Sequence, residues 1–171
     1  MNDLLAFFTL AQLVGIAASC FVIIAYCIKS DVKTKKMIMG GTALFALHFF
    51  MMGALTAMGV TLLNIVRVWL SIRYHGVVWL CALFVSLYIV IGIVTFQEVR
   101  DVLPIVAPVL GCIAMYFLKG IQFRALCLVA MACWLVYGLL IGSIGTVLTQ
   151  VVVSSVNIST IYRLIKEGGN E

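Results

Sequence analysis

The sequence predicts an all-α integral membrane protein with seven transmembrane helices, drawn as two parallel triplets around a lone fourth helix (3+1+3). Three observations carry that reading. Of 171 residues, 65% are hydrophobic and only 10% charged, with a mean hydropathy of +1.24, more apolar surface than a soluble core of this size can hide. The basic residues gather at alternate connections between apolar runs. Finally, an aromatic run closing on glycine occurs twice, as His48-Phe49-Phe50-Met51-Met52-Gly53 and, 85 positions later, as Cys133-Trp134-Leu135-Val136-Tyr137-Gly138. Each run leads through a short small-residue turn into a helix carrying polar groups.

The apolar runs fall at roughly 5–28, 37–55, 57–72, 76–97, 102–118, 125–141 and 143–162. The first lacks a basic leader and a cleavage pattern and continues into further spans, so it reads as a helix rather than a removed signal. The turns at Thr56-Ala57 and Gly142-Ser143 are tight enough to make their flanking helices antiparallel neighbours. About 20 residues are needed to cross a bilayer. The third run is short, and a re-entrant segment giving six spans is the alternative.

Charge placement favours seven. With the N-terminus outside, Lys29, Lys33, Lys35, Lys36, Arg73, Lys119, Arg124, Arg163 and Lys166 all fall in the cytoplasm; Arg100 alone falls outside and Arg67 lies within a span. That positive-inside bias predicts a multi-pass protein of the bacterial inner membrane, N-terminus outside and C-terminus cytoplasmic. The net charge of +5 is thereby assigned to topology and headgroups rather than nucleic acid. Lys29, Lys33, Lys35 and Lys36 form a basic loop suited to anionic lipid. The expected organisation is a triple-helix bundle over 1–73, a linker helix over 74–100, and a second bundle with a short tail over 101–171. Parallel repeats about the membrane normal are an established transporter plan.

The residues that close each second helix, Phe49/Met52-Gly53 and Trp134/Tyr137-Gly138 with Leu139-Leu140-Ile141-Gly142, resemble the SWEET and semiSWEET sugar-transporter units. Asn64 and Gln150, 11 and 12 residues beyond those glycines, resemble the pocket asparagine of that unit. The chain is also similar to the bacterial inner membrane protein YgjV family, through Leu47-His48-Phe49-Phe50, Gly53, Asn64-Ile65-Val66-Arg67, Gly142-Ser143-Ile144-Gly145, Asn157-Ile158 and Arg163. The Pro-Gln dipeptide of SWEET first helices is absent; Ala25-Tyr26 and Ala114-Met115 stand near those points. The resemblance implies the fold and facilitated transport by alternating access, without sugar specificity; Arg67 and His48 bias the expected solute toward small polar or anionic compounds, sugar-like or vitamin-like.

The candidate solute contacts are Asn64, Arg67, His48, Phe49, Trp134, Tyr137, Gln150 and Asn157. Asn64 and Arg67 share a helical face with Thr61 and roughly Ser71. Arg67 either faces the bundle interior, favouring an anion through its planar donor fork, or snorkels to the headgroups. His48 is either a solute contact and protonation switch or a neutral histidine bonded to a neighbouring helix. Trp134 and Tyr137 either stack on a planar ring or fill core. Gln150, Ser154 and Asn157 form one polar face, equally suited to a substrate path and to helix packing. The pocket is expected near midplane between the second, third, sixth and seventh helices.

The six cysteines, Cys20, Cys27, Cys81, Cys112, Cys127 and Cys133, all lie in apolar runs and read as small buried hydrophobes rather than as disulfides or ligands. Two histidines, His48 and His75, are too few for a metal site. No cofactor is implied, and no phosphate loop, catalytic triad or metal spacing supports an enzyme. A homo-oligomer is an admissible assembly. The competing function is a non-transporting scaffold, signalling or lipid-interacting membrane protein, which predicts a closed core with Arg67 at headgroup level.

Overall fold

The computed structural model describes residues 2–25, 31–74 and 79–166, with side chains from Thr9 onward except near the segment ends. These form α1 (Asn2–Ala25), α2 (Asp31–Met51), α3 (Leu55–Arg73), α4 (Trp79–Thr95), α5 (Val102–Phe117), α6 (Gly120–Leu140) and α7 (Ile144–Lys166), with one 3-10 turn, Val99–Asp101, before α5. Cys27, Lys29 and His75, and the side chain of Ser71, lie outside the described residues.

The expectation of seven transmembrane spans in a 3+1+3 arrangement is corrected. Among the described residues, three segments are long and apolar enough to cross a bilayer: Val99–Phe117, Gly120–Leu140 and Ile144–Lys166. Thr9–Ala25, Leu55–Leu70 and Trp79–Thr95 are apolar but shorter. The 17 residues of α4 reach about 26 Å at ~1.5 Å each, short of a hydrocarbon layer of about 30 Å. In α2 the length is present, but Lys33, Lys35 and Lys36 occupy its first two turns.

Packing follows chain order. α1 packs on α2, α2 on α3, α3 on α5, α5 on α6, α6 on α7 and α7 back on α1, closing a ring of six. α4 packs mainly against α3 and α5. Its inward residues Leu80, Phe84 and Tyr88 join Val60 and Cys112 in one core cluster, while Val90, Ile93 and Val94 are exposed. That apolar outer face suits lipid. Five described cysteines are free; Cys81 and Cys112 are buried, but Cys20 is exposed, contrary to the uniform burial expected from sequence.

Two turns set the ring's geometry. Gly53 and Gly142 have φ of +71° and +69°, a conformation that glycine adopts without steric cost. Around them the bonds Gly53 N–H to Phe50 O and Ala54 N–H to Phe49 O match Gly142 N–H to Leu139 O and Ser143 N–H to Gly138 O. Both are Schellman caps, in which the residues just past the helix satisfy its last carbonyls. Their likeness shifts the pairing read from sequence by one helical turn. Gly53 corresponds to Gly142 rather than to Gly138, which places Thr61 opposite Gln150 and His48 opposite Tyr137.

A polar junction binds α1, α2 and α7. His48 is fully buried, with Nδ1 2.7 Å from Ala11 O and Nε2 2.7 Å from Ser143 Oγ. A carbonyl only accepts, so Nδ1 carries the proton and, in the neutral ring, Ser143 donates to Nε2. Gln12 donates to Gly142 O (2.7 Å) and accepts from Ile144 N–H (3.0 Å), while Ser19 donates to Gly145 O (2.6 Å). These bonds clamp α1 across the α6–α7 turn. The crossing is close because it is made by glycines: a Cβ on Gly145 would overlap the Gly15 backbone, and one on Gly15 would meet the His48 ring at 2.9 Å. Small residues at such crossings let helices approach to bonding distance.

Gly145→Ala is expected to lower stability by about 2 kcal/mol, since backbone cannot yield as a side chain can; Gly111→Ala, where a Cβ meets nothing within 4 Å, should leave it unchanged or raise it. His48→Leu should cost about 2 kcal/mol by removing the two bonds that tie α2 to α1 and to the α6–α7 turn. Thermal unfolding in a fixed detergent, compared across the three variants, measures both.

Candidate functional site

A cavity of about 110 Å³ lies between α2, α3, α6 and α7. Its wall comes from Thr42, Phe45 and Phe49 of α2, Thr61 and Asn64 of α3, Trp134 of α6, and Thr146 and Gln150 of α7. Residues three or four apart share a helix face, which is why those of α2, α3 and α7 arrive together.

The apolar wall is a stack. Phe45 and Phe49 lie 5.9 Å apart with their planes at 22°, and Phe49 and Trp134 lie 5.8 Å apart at 16°. Tyr137 meets both Phe49 and Trp134 edge-on. Offset stacking of this kind adds about 1 kcal/mol per pair beyond burial. Phe49 and Trp134 therefore satisfy each other, rather than presenting open platforms on opposite sides.

The polar wall is partly uncommitted. Asn64 Oδ1 accepts from Tyr88 OH (2.6 Å) and Arg67 Nε (3.3 Å). With the carbonyl end held by two donors, the amide orientation is fixed and Nδ2 is the group left without a partner among the described residues. Gln150 and Thr61 also line the cavity with no side-chain partner among the described residues, and Thr146 Oγ1 is 2.8 Å from Ser143 Oγ, the last link to His48.

The other sequence candidates lie elsewhere. Arg67 stands on the α4–α5 side, bonding Asn64 and lying 4.0 Å from Met115 Sδ; it positions Asn64 and does not line the cavity. Asn157 is buried and donates to Arg124 O (3.0 Å) while accepting from Arg124 Nη1 (3.3 Å), tying the start of α6 to the end of α7. His48 is enclosed in the α1–α2–α7 junction. Tyr137 lines a second cavity, beside the α4–α5 connection.

Sequence reasoning missed Thr42, Phe45 and Thr146, although their spacing to Phe49 and Gln150 was available as a signal. It also passed over Tyr88, on a helix read as having few polar features. Among the described residues, no three His, Cys, Asp or Glu side chains are grouped to hold a metal.

The sequence matches the family Imp-YgjV, described as bacterial inner membrane protein, over residues 9–168. It is 26% identical over 162 residues to Inner membrane protein YgjV of Escherichia coli (strain K12), covering 93% of this chain and 88% of that relative. No solved structure matches the chain. A match over nearly the whole length, joined to spans fit to cross a bilayer, places this multi-pass chain in the Imp-YgjV family of bacterial inner membrane proteins.

Proposed function

We propose that the chain moves a small polar solute across the inner membrane through the cavity between α2, α3, α6 and α7. The observation that carries this is uncommitted hydrogen-bonding capacity around one space: Thr61, Asn64 Nδ2 and Gln150 line it, Thr61 buried and the other two half-buried. Polar groups at membrane depth cost several kcal/mol each when left without a partner. Water or a solute is the natural partner. A closed scaffold gains nothing from leaving them open.

Size and charge narrow the solute. At about 110 Å³ the cavity is smaller than an engineered cavity of ~150 Å³ that takes benzene. A solute of a few heavy atoms fits this conformation; a sugar-like or vitamin-like ring requires the Phe49–Trp134 stack to part. Arg67 is turned toward Asn64 and Met115, which favours a neutral polar solute over an anion. Alternating access would open and close that stack. The matching caps at Gly53 and Gly142 support reading residues 1–73 and 101–171 as related halves.

The same contacts support the orientation read from charge. Asn157 and Arg124 join the basic ends of α6 and α7, so Lys119, Arg124, Arg163 and Lys166 share one side, which the positive-inside bias makes cytoplasmic. Gln12 of α1 meets the opposite turn, which supports an N-terminus outside. Lys33, Lys35 and Lys36 on α2 would then face anionic headgroups.

Proteoliposome uptake over a panel of small polar solutes tests the reading. Wild type should show saturable flux for at least one solute, and Gln150→Ala and Asn64→Ala should each lower it about tenfold, the worth of one hydrogen bond. Ser155→Ala, at an exposed position, should transport as wild type does. Undiminished flux in both cavity variants would refute this pocket, and saturable binding without flux would make the chain a receptor or scaffold.

A further inference from the structure

The second cavity has no place in the solute path and has chemistry of its own. It measures about 120 Å³ and lies between the two Schellman turns and the α4–α5 connection, lined by Met52, Tyr137, Ile141, Glu98, Arg100 and Asp101 among others. Tyr137 is wholly buried, yet its hydroxyl is without a hydrogen-bond partner among the described residues. Buried hydroxyls are rarely left so.

Asp101 is also buried, at 6% exposure. Its Oδ2 accepts from the backbone N–H groups of Gln97 and Glu98, both at 3.0 Å, leaving Oδ1 over. Arg100 does not neutralise it; that guanidinium pairs with Glu98 at 2.9 Å, where both side chains are well exposed. Two carboxylates against one guanidinium leave the lining with one negative charge in excess. α2 and α6 end here while α3 and α5 begin here, so the partial charges of the helix termini offset one another and the net charge comes from the side chains. The Schellman bonds use the carbonyls of Phe49, Phe50, Gly138 and Leu139, so those of Met52 and Ile141 remain as acceptors.

We infer that this cavity binds a small ammonium-type cation. Its N–H groups would be received by Asp101 Oδ1, the Tyr137 oxygen and a helix-terminal carbonyl. The net charge of the lining disfavours an anion, and the volume is several times the ~30 Å³ share of one water molecule. The inference is independent of the proposed transport: the Phe49 and Tyr137 rings stand between the two cavities.

Isothermal titration of the purified full-length protein in nanodiscs tests it, with methylammonium chloride as the probe and choline chloride at equal ionic strength as the cation without N–H donors. Saturable binding of methylammonium and none of choline is expected. Tyr137→Phe deletes only an unpartnered oxygen, so it should fold as wild type does and weaken binding about tenfold. Asp101→Asn should abolish binding; if it does not fold, Tyr137→Phe decides. Equal heats for the two salts, or unchanged affinity in Tyr137→Phe, would overturn the assignment.

Discussion

The ring of helices depends on one crossing, where α1 lies against α7 closely enough for backbone to touch backbone. Gly15 and Gly145 permit the approach, and His48, Gln12 and Ser19 convert it into bonds. Between apolar helices in lipid there is little hydrophobic drive to associate, so packing and interhelical hydrogen bonds must supply the attraction. Each bond contributes modestly. What gives the junction its weight is the number of bonds gathered at one crossing: pulling α1 away would break those of His48 to Ala11, of Gln12 to Gly142 and Ile144, and of Ser19 to Gly145 together, in a medium that offers no replacement.

That junction also shapes the cavity beside it. Ser143, held by His48, lies 2.8 Å from Thr146, and Thr146 looks into the space that Gln150 and Asn64 share. On the far wall Tyr88 and Arg67 do for Asn64 what Ser143 does for Thr146, fixing a polar group by bonding its other end. Asn64 and Thr146 are thus oriented from behind by residues that do not line the cavity, whereas Thr61 and Gln150 have no such support among the described residues.

Much of this was legible in the residues. Hydropathy marked the apolar runs, and the short turns read at Thr56-Ala57 and Gly142-Ser143 named the antiparallel pairs, although the first turn lies three residues earlier, at Gly53-Ala54, and Thr56-Ala57 is already inside α3. Spacing placed Asn64 and Gln150 on faces that do meet. Span number was not legible, because charge bias counts reversals of direction, whereas crossing also needs a continuous apolar length that α2, α3 and α4 do not each supply. Pairing by the aromatic-glycine runs slipped by four residues for a related reason. Four residues are close to one helical turn, so the faces still agreed while the partners did not. The fates of Arg67, His48 and Asn157 were beyond one-dimensional pattern, since each was decided by an atom on another helix: Asn64 held in turn by Tyr88, the Ala11 carbonyl, and the Arg124 backbone.

The aromatic stack has an optical consequence. Trp69 and Trp79 are half or more exposed on the outer surface, whereas Trp134 is packed face-on to Phe49 and edge-on to Tyr137 inside the bundle. Brominated acyl chains would reach the first two indoles and dim them, leaving the emission of the third. The protein thereby carries its own interior lamp, set against the ring that divides its two cavities.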